Sequence, residues 1–296
     1  MCDENTEQDN ENFLRGSSQQ PTGITRRQFS TITTAAALAT LLPRAANAQT
    51  INESDVKIQT PDGVADCYFV HPAKGEYPGV IIWPDIIGLR PAFRLMGKRL
   101  AESGYSVLVV NPYYRVAIAP VVPPGSSFAD TAIREKLLPM ARQLSAETVV
   151  TDAHSFVTFL DQQISVNTQR KIGTMGYCMG GSFTMLTAAA LPDRIGAGAS
   201  FHGGRLVTDG DDSPHLLVPK MQSHFLFAIA ANDDERQPEA KNILKKSFKE
   251  AGLPAEIEVY EGAMHGWCPP DSRVYNEVQA ERAWSRLLNL FNTALA

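Results

Sequence analysis

A cysteine flanked by glycines stands in the middle of the sequence, in the pentapeptide Gly176-Tyr177-Cys178-Met179-Gly180. A short apolar run precedes it, and a segment with helical spacing of apolar residues follows it. This pattern between a strand and a helix is typical of a nucleophile elbow, whose sharp turn holds the central side chain clear of the sheet. It predicts a nucleophilic thiol whose thiolate form is favoured by the helix N-terminus. The same glycines are also compatible with close packing around a buried, unreactive Cys178.

A nucleophile elbow requires an acid and then a histidine later in the chain. Asp233 follows the apolar run 224–230, and His265 follows the run 255–262. His265 could accept the thiol proton, and Asp233 could hold the imidazole in the useful tautomer. Taken singly, the acid could be a helix cap and the histidine a surface residue. Their joint order after Cys178 favours a Cys-His-Asp triad, with Asp234 as the alternative acid.

Apolar runs alternate with segments of helical periodicity along residues 50–296. The runs predict strands at 64–70, 79–83, 105–110, 171–176, 224–230 and 255–262. The intervening periodic segments predict helices at 90–104, 147–163, 179–191, 238–252 and 274–295. This alternation predicts an α/β fold with a mostly parallel central sheet and helices on both faces, with ligands at the carboxyl ends of the strands. The proline-rich segment 111–137 predicts a long loop that covers the site as a flap.

The first 48 residues have the features of an export leader. Arg26-Arg27 precedes a short apolar run, 32–42, and Ala46-Asn47-Ala48 is typical of a cleavage site. The run is too short for the roughly 20 residues of a membrane span. We therefore expect a twin-arginine-type signal peptide at 1–48 and a mature domain at 49–296, located in the periplasm or secreted. An amphipathic N-terminal helix is the alternative.

Composition and cysteine spacing narrow the class of function. The formal net charge is −5, and no basic cluster points to nucleic acid or a membrane as partner. The cysteines outside the leader are widely spaced and form no C-x-x-C motif, so neither a metal site nor a disulfide framework is indicated. We expect a monomer that needs no cofactor and acts on a small molecule.

The chain resembles the dienelactone hydrolase family of α/β-hydrolases over essentially all of residues 50–296. The shared segments are "GYCMGG" (176–181), "FHGG" (201–204), the Asp233 loop, "HGW" (265–267) and "AERAWSRLLNLF" (280–291). The "GYCxGG" segment is specific, since most proteins of this fold use a serine nucleophile. The resemblance implies a hydrolase for a lactone or carboxylic ester, of the carboxymethylenebutenolidase type, that works through a thioester. A carboxylesterase or thioesterase for a neutral substrate, and a non-catalytic thiol or ligand-binding protein on the same fold, are the alternatives.

The same resemblance implies roles for individual residues. Cys178, Asp233 and His265 match the family triad, and the amides of Met179 and Ile86 match its oxyanion hole. Further expected roles are thiol activation by Asp85, where the family usually has glutamate, and substrate contacts by Arg134, Arg142, Arg273, His202, Tyr114 and Trp267. The arginines are candidates for a substrate carboxylate, because Pro269 stands where family members carry one of their two anchoring arginines. For His202, a family feature near the site, a structural role is favoured over a substrate contact.

Overall fold

An eight-stranded sheet crosses the part of the chain described by the computed structural model, namely residues 4–17, 42–43 and 48–296. Its strands are β1 Ile51–Thr60, β2 Gly63–Pro72, β3 Gly79–Trp83, β4 Ser106–Val109, β5 Ile172–Tyr177, β6 Ile195–Phe201, β7 His224–Ala230 and β8 Ala255–Tyr260. The order is β1-β2-β4-β3-β5-β6-β7-β8. The β1–β2 and β2–β4 pairs are antiparallel and the other pairs are parallel. Parallel strands place their carboxyl ends along one edge, where the site is expected.

Helices cover both faces of this sheet. They are α1 Glu4–Ser17, α2 Pro91–Glu102, α3 Thr131–Ala141, α4 Ala146–Asp161, α5 Met179–Ala190, α6 Ala231–Arg236, α7 Ala240–Glu250 and α8 Glu277–Ala294, with a 3₁₀ helix at Pro214–Lys220. Buried side chains of α2 and α8 pack in the core on one face, and those of α4, α5 and α7 pack in the core on the other. The predicted α/β-hydrolase fold is confirmed. None of the helices within the described residues combines the length and apolarity needed to cross a membrane.

The predicted strands agree with the structure to within two residues, but β1 and β6 were missed. Strand β1 is polar and largely exposed because it is an edge strand paired only with β2. Strand β6 reads "IGAGASF", whose small residues do not look like an apolar run. The small residues are needed there, because a Cβ on Gly198 would lie 2.3 Å from the Phe225 ring.

The predicted loop 111–137 is wrong over its last seven residues, where α3 begins at Thr131. The rest of the segment is packed against the body of the protein, with Val121, Val122 and Phe128 buried. Its Ser126–Phe128 portion lines the pocket that contains Cys178. The segment therefore forms part of the wall of the predicted site.

The predicted leader is described only in part. The twin-arginine motif at 25–29 and most of the following apolar run lie outside the described residues. Residues 4–17, which precede the motif, form α1, and α1 packs onto the domain that contains the sheet. The leader therefore stays a prediction.

Candidate active site

Cys178 occupies the sharp turn between β5 and α5. Its φ of 54° and ψ of −116° lie in a region that residues with a side chain rarely adopt. The flanking glycines make this turn possible: a Cβ on Gly176 would lie 2.0 Å from the Gly180 carbonyl oxygen, and one on Gly180 would lie 2.4 Å from the Trp83 oxygen. The sharp turn is therefore possible because the backbones of β5, α5 and the end of β3 lie in direct contact, with no room for a side chain at either glycine.

His265 faces Cys178 from the loop after β8. Its Nδ1 lies 2.8 Å from Asp233 Oδ2, and the ring also forms a side-chain hydrogen bond with Cys178. Asp234 forms an ion pair with Lys241 instead, so the acid facing the imidazole is Asp233. The three side chains thus form one hydrogen-bonded row.

Asn232, which the sequence analysis missed, fixes the backbone of the histidine loop. Its Oδ1 accepts a hydrogen bond from the His265 amide at 2.8 Å. The side chain is 2% exposed, and it stands beside Asp233 on α6. The short helix α6 therefore positions the His265 ring through Asp233 and the His265 backbone through Asn232.

The environment of His265 favours the imidazolium form. Burial disfavours the charged ring, but the Asp233 carboxylate and the Cys178 sulfur outweigh it and raise the pKa of His265 to about 10. An imidazolium at neutral pH places a positive charge beside the Cys178 sulfur, and such a charge favours the thiolate form. The row can therefore present a preformed nucleophile.

Of the two predicted oxyanion residues, Met179 directly follows Cys178 in the chain and Ile86 lines the Cys178 pocket. Met179 is the first residue of α5, so its amide belongs to a helix N-terminus. Ile86 lines the Cys178 pocket from the loop after β3, where Ile87 N donates to Asp85 Oδ1 at 2.9 Å. Tyr113 Oη donates to the Ile86 carbonyl at 2.8 Å and so fixes the turn. The Met179 amide at the helix N-terminus and the Ile86 segment therefore stay the candidates for an oxyanion hole.

Asp85 lies in the pocket, but its carboxylate is held by a buried arginine that the sequence analysis missed. Arg90 donates to both Asp85 oxygens, at 2.7 and 2.9 Å. The same guanidinium donates to Asp271 at 2.7 and 3.0 Å. Burial raises the pKa of Asp85, while Arg90 opposes that effect. The observed contacts make Asp85 part of an Asp85–Arg90–Asp271 cluster at the pocket wall.

His202 is buried beside the row, with its ring centroid 5.0 Å from that of His265. Neither ring nitrogen has a hydrogen-bond partner among the described residues. Burial and the neighbouring His265 lower its pKa to about 3, so the ring is neutral. A neutral imidazole that lines the pocket can donate or accept one hydrogen bond to a ligand.

The other predicted substrate contacts separate into two groups. Arg273 lines the pocket. Arg134 lies close enough to the pocket for its charge to lower the pKa of Glu7, which is one of the lining residues. Arg142 is an exposed residue at the end of α3 and does not line the pocket.

Two predicted aromatic contacts are corrected by the structure. The Tyr114 hydroxyl donates to Asp152 in a separate buried cluster, and the neighbouring Tyr113 reaches the pocket loop instead. Trp267 is stacked on Tyr260 within the core, with ring centroids 4.9 Å apart. Both rings pack among buried apolar residues and contact a neighbouring side chain, Asp152 for Tyr114 and Tyr260 for Trp267.

Several known proteins are similar to this chain in sequence or in fold. A carboxymethylenebutenolidase of Rhodococcus opacus is 26% identical over 224 residues, which cover 75% of this chain and 83% of the relative. A Klebsiella pneumoniae protein provisionally assigned as a dienelactone hydrolase has a TM-score of 0.71 at 22% identity, covering 82% of this chain and 99% of that one. A dienelactone hydrolase-like promiscuous phosphotriesterase from metagenomic libraries has a TM-score of 0.68 at 19% identity, covering 83% and 99%. The two structures show a shared fold.

The family assignment rests on a match that spans nearly the whole sheet. Residues 65–295 match the dienelactone hydrolase family, from within β2 to the last turns of the chain. The match includes the elbow and both loops that face it. This chain belongs to the dienelactone hydrolase family.

Proposed function

We propose that this protein hydrolyses a lactone or carboxylic ester by nucleophilic attack of the Cys178 sulfur. The observation that carries the proposal is the Cys178–His265–Asp233 row at the carboxyl ends of β5, β7 and β8. The sulfur stands at a strained elbow, the imidazole is poised to hold its proton, and a helix N-terminus borders it. These are the parts that acyl transfer through a thioester requires.

The reaction divides into two acyl transfers. The Cys178 thiolate forms a bond to the carbonyl carbon, and the carbonyl electrons move to oxygen beside the amides of Met179 and Ile86. Each such donor typically contributes about 3–4 kcal/mol to the transition state. Collapse re-forms the carbonyl and breaks the carbon–oxygen bond, and the leaving oxygen takes the proton from His265. The product of this step is a thioester on Cys178.

Water completes the cycle. Neutral His265 accepts a proton from water as the oxygen attacks the thioester carbon, and Asp233 stabilises the resulting imidazolium. Collapse of the second tetrahedral species expels the Cys178 sulfur as thiolate and releases a carboxylic acid. The imidazolium–thiolate pair of the resting enzyme is restored.

For the substrate, the relatives support a carboxylate-bearing dienelactone. The carboxymethylenebutenolidase relative carries that activity in its name. Arg273 lines the pocket, although it stands at a different position from the missing family arginine. A carboxylate near this guanidinium would be bound by a charge-assisted hydrogen bond.

A second cavity favours the alternative of a neutral ester. A space of about 300 Å³ borders Ile86 and Met179, the two candidate oxyanion residues, and His265 is not among the residues that line it. Its inner wall is mostly apolar, with contributions from Ala141, Leu144, Phe183, Leu186 and Pro214. An uncharged acyl or alkyl group would fit such a wall.

One pair of compounds tests the proposal and separates the two substrate classes. The carboxymethylenebutenolide anion and its methyl ester share one reacting ring and differ in charge. We expect turnover of the anion to exceed that of the methyl ester, and a mass increase on the Cys178 peptide after rapid acid quenching. A preference for the methyl ester would support the neutral-ester alternative. Turnover without any adduct on Cys178 would contradict the thioester route.

The pH profile should show the proton held by His265. Acylation needs the imidazolium to protonate the leaving oxygen, so kcat/KM for an alkyl ester should fall as pH rises through the His265 pKa of about 10. In Asp233→Asn, one of the charges that raise this pKa is lost, so the alkaline limb should move to lower pH. Asp234→Asn is the matched control, because its carboxylate pairs with Lys241. An alkaline limb at the same pH in both variants would contradict the assignment of Asp233.

A further inference from the structure

The N-terminal helix α1 lies in the pocket that contains the nucleophile. Glu7, Asn10 and Leu14 line this pocket together with Cys178 and His265. These three helix residues are spaced three and four apart, so they share one face of α1. The exposed residues Gln8 and Asn12 lie on another face. A single helix face therefore fills the space above the sulfur.

Polar contacts fix α1 to the elements that carry the site. Asn10 Nδ2 donates to the carbonyl oxygen of His265 at 3.2 Å. Arg236, three residues after Asp233 on α6, donates to Thr6 Oγ1 at 2.5 Å and to Asp9 at 2.6 Å. The Thr6 side chain is buried as a result.

A second ion pair fixes the other end of the contact. Arg273 of the pocket wall donates to Glu11 at 2.7 Å. Arg273 is thus engaged by α1, although it is the guanidinium best placed to bind a substrate carboxylate. Acidic residues of the helix face basic residues of the domain at both contacts, so docking is favoured by charge as well as shape.

The space left beside the sulfur is too small for a substrate. The pocket measures about 70 Å³ with α1 in place. Small-molecule sites usually measure about 300–1,000 Å³. Cys178 is 1% exposed, so even a small reagent has little access to it. The carboxylate of Glu7 lies close enough for its charge to interact with both Cys178 and Arg273.

We propose that α1 is an occluding segment that closes the thiol site of the full chain and opens it when the segment is released. Closure of the site blocks access to Cys178, and its effect on catalysis rests on the proposed function. The helix precedes the predicted twin-arginine motif, so cleavage after Ala48 would remove it together with the leader. The enzyme would then be closed before export and open after it.

A charge reversal in α1 tests the occlusion without touching the catalytic row. Asp9→Arg/Glu11→Arg places cations against Arg236 and Arg273, whereas Gln8→Arg/Asn12→Arg adds two arginines to the exposed face of the same helix. Open minor states are typically about 0.1–10% populated, so release should raise the rate of Cys178 alkylation by iodoacetamide about tenfold or more. The control should react like the wild type. The modified peptide is quantified by mass spectrometry, which separates Cys178 from the other cysteines.

Release of the helix from the folded protein is the second arm. A specific protease site inserted after residue 20 allows the full chain to be folded first and then cut, and gel filtration in moderate salt removes the peptide. We expect faster alkylation and faster ester turnover, and an added peptide of residues 4–17 should reverse both changes. Unchanged alkylation in both arms would overturn the occlusion. Faster alkylation without ester turnover would instead preserve the occlusion and contradict the proposed hydrolase activity.

Discussion

Replacement of Cys178 by alanine is expected to lower kcat/KM for an activated ester by about 10⁴-fold or more, because no other group can form the thioester. The sulfur is the atom that His265 and the elbow are arranged around. Alanine retains the Cβ at the same strained backbone position, so the fold should persist. Steady-state kinetics with p-nitrophenyl acetate, run after α1 has been released from wild type and variant alike, measures the loss, and thermal unfolding checks that the variant remains folded.

The other buried cysteines provide the control for this substitution. Burial raises the pKa of both Cys67 and Cys268, so their thiols should stay protonated and unreactive. Cys67→Ala and Cys268→Ala should therefore retain the wild-type turnover per folded molecule. If Cys178→Ala turned over substrate at the rate of these controls, the sulfur would not be the nucleophile.

The row around Cys178 could be predicted because each of its parts leaves a local signal. The elbow is a contiguous glycine pattern in which close backbone approach excludes any side chain, as the contact of Gly176 with Gly180 shows. Asp233 and His265 each follow an apolar run that is visibly a strand. Parallel pairing then brings their loops to one edge of the sheet, whatever their separation along the chain.

The pocket walls could not be predicted in the same way, since they depend on contacts between distant segments. Arg90 pairs with Asp271, 181 residues away, and no spacing rule connects the two. Tyr113 and Tyr114 are neighbours with the same side chain, yet only the packing of Asp152 decides which one faces the pocket loop. The docking of α1 likewise depends on Arg236 and Arg273, whose positions are fixed only after the sheet has formed. Family resemblance gave no information on this helix because the matched residues begin at position 65.

Arg90→Met is expected to reduce the free energy of unfolding by about 3–5 kcal/mol, the usual effect of removing one partner from a buried charge cluster. The Arg90 side chain is 9% exposed, and it is the shared partner of Asp85 and Asp271. Methionine keeps much of the apolar contact with the Phe93 ring but leaves two carboxylates facing each other in the pocket wall. Urea unfolding monitored by circular dichroism measures the change.

Two matched variants distinguish the effect of a buried charge on the free energy of unfolding from the effect of losing any arginine. Arg286 pairs with Glu256 on the surface and is 45% exposed, so Arg286→Met should cost at most about 1 kcal/mol. Asp271→Asn should cost less than Arg90→Met, because Arg90 then keeps its two bonds to Asp85 and no carboxylate loses its only cation. Equal losses in Arg90→Met and Arg286→Met would contradict the role of this cluster in stability. The ranking follows from one feature: a single buried guanidinium is the shared partner of two carboxylates at the pocket wall.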